Sequence, residues 1–124
     1  MIVEGNTLEL LCDGRIIFSS RAHWLHPLLE LETFLGTWNG DRSSLQLHDT
    51  KSGRAGAALV ILLGIRNVEI GLVSRYALDL YEDYGIRVRA GRIIDRIDCM
   101  TEKLITPDMS PVEIRRLVLS RISN

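Results

Sequence analysis

Residues 55–65, AGAALVILLGI, form the longest apolar stretch in the chain. Wound as a helix, it has no polar face, so it must be covered on nearly every side. It is too short to cross a bilayer, which takes about 20 residues. The chain therefore has to wrap this segment in its other elements. Its 124 residues are enough for one domain around one core, read here as a single domain over 1–124.

The flanking punctuation says what those elements are. Asp13-Gly14 between two short apolar segments predicts a β-hairpin over residues 7–19. Pro27 suits the first turn of a helix running to Leu35, with Gly36 as its stop and a polar loop over 37–43. In residues 44–48, Leu45 and Leu47 alternate with Gln46 and His48, which is strand spacing. Ser52 is placed to cap the apolar helix. A strand over 67–73, a helix from Arg75 capped by Ser74 and ended by Gly85, and a strand over 86–90 follow. Asp98 is placed to cap a short helix over 99–105. Ser110-Pro111-Val112-Glu113 is a capping box with proline at the first helical position. The last helix then puts Ile114, Leu117, Val118 and Ile122 on one face. Strands and helices alternating with short joins imply parallel pairs and right-handed crossovers in a three-layer or two-layer α/β domain.

This element order is similar to the cytidine deaminase-like fold. The chain resembles a small prokaryotic family of that fold, labelled as a domain of unknown function. The matching stretches are Cys12 to Phe18, Pro27-Leu28-Leu29-Glu30-Leu31, residues 49–63, and Cys99 with Glu102-Lys103. The resemblance spans residues 5–123. It implies a three-layer α-β-α domain with a mixed sheet and an N-terminal hairpin. It also singles out Cys99. The family has proline and then methionine after this cysteine, where this chain has Met100 and Thr101.

Zinc deaminases of this fold carry H-x-E at one helix start and P-C-x-x-C at the next, because metal-bound water and a proton-shuttling glutamate do the chemistry. Here those places hold Gly53-Arg54-Ala55 and Ser74-Arg75-Tyr76-Ala77. With no such ligand, ordinary zinc-dependent deamination is not expected, and neither a metal nor a cofactor is assigned.

The remaining candidate site is the join between the strand and the apolar helix. Asp49, Lys51, Ser52, Gly53 and Arg54, with His48 before them, combine a helix N-terminus, a residue without a Cβ and two cations. One reading is a site for a small anionic or nucleotide-like ligand; open α/β sheets bind ligands at the carboxyl ends of their strands. The other is a capped helix start whose basic residues face water, with Asp49 in an ion pair. Cys99 is the candidate catalytic nucleophile in a second reading, with His48 or Asp49 assisting. A non-catalytic regulatory or interaction module is the third.

The net charge of −1 gives no general attraction to nucleic acid, so none is expected as a partner. The opening MIVEGNTLELLC lacks a basic leader and long apolar region, so a cytoplasmic protein with no membrane association is expected. Cys12 and Cys99 are then thiols rather than a disulfide. A homo-oligomer is the expected assembly.

Overall fold

The computed structural model describes residues 2–122. The hairpin forms as β1 (Leu8–Cys12) and β2 (Arg15–Ser20). Its turn needs positive φ at both central residues, and Asp13 (51°) and Gly14 (79°) supply it. After α1 (His26–Thr37), β3 (Leu45–Ser52) leads into α2 (Arg54–Leu63). β4 (Asn67–Ser74), α3 (Arg75–Asp83) and β5 (Arg87–Ile94) complete the alternation, and α4 (Met100–Leu104) and α5 (Pro111–Ile122) close the chain.

The five strands make one mixed sheet in the order β2-β1-β3-β4-β5. β1 is antiparallel to both of its neighbours, and β3, β4 and β5 are parallel. The links through α1, α2 and α3 all step in the same direction across this order. Right-handed crossovers of that kind place their helices on one face.

Exposure agrees with this. Leu8, Leu10, Leu45, Leu47, Val68 and Ile70 face the helices and are buried. Gln46, Thr50, Gly71, Arg87, Arg89 and Gly91 face the other way and are exposed. The expected three layers are therefore corrected: among the described residues the helices cover one face of the sheet and leave the other open.

α2 is the buried centre that its composition demands. Ala55 to Val60 are all buried, and α2 packs against α1, α3 and α5. Gly64, at φ 78°, ends it in the left-handed conformation. α5 lays Ile114 and Val118 into the same core, and its Arg115 makes a two-pronged pair with Glu32 of α1. The Ser110–Glu113 capping box is formed in both directions.

α1 runs through Gly36 to Thr37, because Gly36 keeps helical backbone and the chain turns out only at Trp38. The last strand starts one residue late and runs to Ile94, since its ladder with β4 continues through Leu72↔Arg92 to Ser74↔Ile94. No described helix is long and apolar enough to cross a membrane.

Candidate functional site

The site is built where β3 ends and α2 begins. The polar residues Asp49, Thr50, Lys51 and Ser52 carry the composition of a lead-in loop, but β3 continues through them, pairing Lys51 with Leu72 and Ser52 with Val73. This moves the cap. Ser52 is buried and turned inward, its hydroxyl donating to the carbonyl of Gly53 and meeting the Tyr81 hydroxyl at 3.3 Å. Gly53 is the N-cap residue and has no side chain to cap with.

The first amides of α2 are satisfied from far along the chain. Glu102 accepts from Arg54 N at 2.6 Å and from Ala55 N at 2.8 Å. A helix start favours an anion through its free N–H groups and dipole, and here the protein's own carboxylate takes that place. A Cβ on Gly53 would lie 2.6 Å from the Glu102 carboxyl, so the glycine is what lets Glu102 close on the helix.

Beside this junction lies a cavity of about 420 Å³. Asp49, Lys51 and Gly53 line it from one side. Cys99, Thr101 and Glu102 line it from another, and His23 and Trp24 complete it. Trp24 sits at φ 62°, a left-handed conformation that costs a non-glycine residue energy. Its ring meets His26 edge-on at 5.6 Å.

Asp49 is the group with unusual chemistry. It is 9% exposed. Removal from water raises its pKa to about 7, against weaker lowering by hydrogen bonds from the Lys51 and Thr50 amides. Near neutral pH it can therefore donate or accept a hydrogen bond. Below it Tyr81 is fully buried, and desolvation together with the Asp49 charge pushes its phenol well above the usual range. The expected ion pair of Asp49 with Lys51 or Arg54 does not form among the described residues: backbone amides meet it instead, that of Lys51 at 3.4 Å.

The structure thus brings Asp49, Lys51, Gly53 and Cys99 to one cavity and separates the other candidates. Arg54 swings away, its guanidinium 5.2 Å above the Tyr76 ring. His48 lies on the opposite face of the sheet, paired with Glu69 at 3.0 Å, because successive strand residues alternate sides. Cys99 is the N-cap residue of α4, half-buried and a free thiol, and Asp98 does not cap that helix. Sequence reasoning missed Trp24, Thr101 and the capping role of Glu102, which no local spacing announces.

Gly53-Arg54-Ala55 and Ser74-Arg75-Tyr76-Ala77, where the resemblance to zinc deaminases would put metal ligands, lie at the starts of α2 and α3. Neither carries an imidazole or thiol, and Ser74 caps α3 through the amide of Ala77. Among the described residues no three His, Cys, Asp or Glu side chains cluster as a metal site.

No protein-family model and no curated protein matches the sequence. The structure is similar to the crystal structure of a DUF1893 family protein from Thermotoga maritima. The TM-score is 0.81 at 26% identity, over 94% of this chain and 80% of that one. This is consistent with the resemblance to a family of unknown function and with the α/β class of this chain, whose sheet is mixed and five-stranded.

Proposed function

We propose that this chain is a small-molecule-binding domain of cytidine deaminase-like fold, without zinc chemistry, whose ligand enters the cavity beside Asp49. The observation that carries the reading is the Asp49 carboxyl itself: almost wholly withdrawn from water, met by backbone amides alone, at the edge of a cavity of ligand size. A group offering N–H or O–H donors satisfies it. Glu102 already holds the α2 amides, so an anionic part of the ligand is assigned to Lys51 on the exposed rim. A nucleotide-like molecule, with donors on one end and negative charge on the other, fits that division.

A thermal-shift screen of nucleosides and nucleotides tests the reading. A ligand should raise the melting temperature of wild type, and Lys51→Ala should weaken the binding of phosphorylated ligands most. A screen with no shift counts against it.

A second reading is favoured by one juxtaposition: Cys99 lines the same cavity as Asp49. In this reading Cys99 is the nucleophile and Asp49 the group that takes its proton. It requires Cys99 to be alkylated faster than Cys12, and Asp49→Asn to abolish the difference.

A further inference from the structure

The open face of the sheet carries a row of polar side chains set by strand register. His48 of β3 lies beside Glu69 of β4, and Glu69 beside Arg89 of β5. The row borders a depression of about 480 Å³ with Ile2, Asp49 and Thr50 at its sides, and its lining includes none of Lys51, Gly53 and Cys99 of the first cavity. Its floor is bare because Gly71 and Gly91 stand in the next row. Neither can carry a side chain: a Cβ would lie 2.9 Å from the Thr50 carbonyl oxygen at Gly71, and 2.8 Å from that of Gly71 at Gly91.

His48 is 8% exposed, and its pairing leaves a cost. With Nε2 facing the Glu69 carboxylate at 3.0 Å, the other ring nitrogen, Nδ1, is buried without a hydrogen-bond partner. A buried polar atom left without a partner is destabilising. What that arrangement secures is Glu69: one carboxylate oxygen is fixed by the imidazole, while the side chain stays 37% exposed at the depression. Such preorganisation is what a binding group needs. Arg89 is exposed one strand away, and among the ion pairs of the described residues none joins it to Glu69.

We propose that this depression is a second ligand site, for a small zwitterion of the free α-amino acid class. The ammonium group binds the carboxylate of Glu69, the carboxylate binds the guanidinium of Arg89, and the ligand's side chain lies over Gly71 and Gly91 towards Ile2. Opposite charges one strand spacing apart, about 4.8 Å, suit the adjacent poles of an amino acid head group. Neither a simple amine nor a simple anion uses both.

The test is saturation-transfer NMR with the common amino acids on the whole chain, followed by calorimetry of any that bind. Binding of at least one is expected. Its amide and its N-acetyl form should bind much more weakly. Arg89→Ala and Glu69→Gln should each weaken it about tenfold or more, while Lys51→Ala, in the first cavity and outside the depression, should not. No binding by any amino acid, or binding that survives both Arg89→Ala and Glu69→Gln, overturns the assignment. Loss on Lys51→Ala alone would place the amino acid in the other cavity and equally overturn it.

Discussion

Glu102 caps the helix that begins at Arg54, 48 residues earlier in the chain, with one carboxylate oxygen 2.6 Å from the Arg54 amide. The second oxygen takes the amide of Ala55. This one side chain ties the short α4 to the central helix and closes one wall of the cavity. Removing it leaves two amides at a partly buried helix start to water alone. Glu102→Ala should lower stability by about 1–2 kcal/mol in urea unfolding. Gly53→Ala should also destabilise, because its Cβ meets the Glu102 carboxyl. In the Glu102→Ala background that penalty should largely disappear. Two additive losses would contradict this account of the junction.

Stability should fall as pH rises through the neutral range. Asp49 holds its proton to about pH 7 in the folded protein, whereas an unfolded aspartate loses it near pH 4. Between these values the folded state binds more protons, so stability is greatest below the unfolded value and declines as pH rises towards 7. Wild type should be less stable at pH 8 than at pH 5 by an amount on the order of 2–4 kcal/mol from this group. Asp49→Asn should remove most of that difference, as read from denaturant midpoints at the two pH values.

The buried contact between Tyr81 and Ser52 supports the floor of the site. Tyr81→Phe should cost about 0.5–1.5 kcal/mol. Alanine usually strengthens a helix interior relative to glycine by about 1 kcal/mol. At Gly56 a Cβ would lie 2.9 Å from the Ser52 hydroxyl oxygen, so Gly56→Ala should show no such gain. Combined with Ser52→Ala, the same change should become favourable in thermal unfolding.

Arg54 and Lys51 should behave differently although both are basic and both flank Gly53. Lys51 lines the cavity, whereas Arg54 is turned onto Tyr76. Arg54→Ala should leave affinity for any cavity ligand within about twofold, a change too small to mark a lost direct contact. Lys51→Ala should reduce it for anionic ligands.

How much of this was legible depends on the range of the interaction that sets each feature. Local chemistry was readable: Asp13-Gly14 makes the hairpin turn, Ser74 caps α3, and Ser110 with Glu113 closes a capping box. Strand parity over residues 44–48 set His48 opposite Leu45 and Leu47, but Asp49 joins the leucine face only because the strand continues past His48. The polar run 49–52 gave no strand signal of its own. It extends because Leu72 and Val73 offer a ladder, which is tertiary information. Ser52 looked like a cap, but Tyr81 draws it inward. Glu102 reaches across 48 residues, and nothing in its own neighbourhood points to α2. The helix layering follows from strand order, which the succession of elements alone leaves open.

The measurement that bears most directly on the cavity is calorimetric titration of wild type and Asp49→Asn with the nucleotide-like ligand that stabilises wild type most. The account predicts saturable binding to wild type and at least about a tenfold loss with Asp49→Asn, in a variant that remains folded. Equal affinity for both proteins would contradict the role given to Asp49, and the absence of any saturable ligand would contradict the cavity's assignment as a binding site.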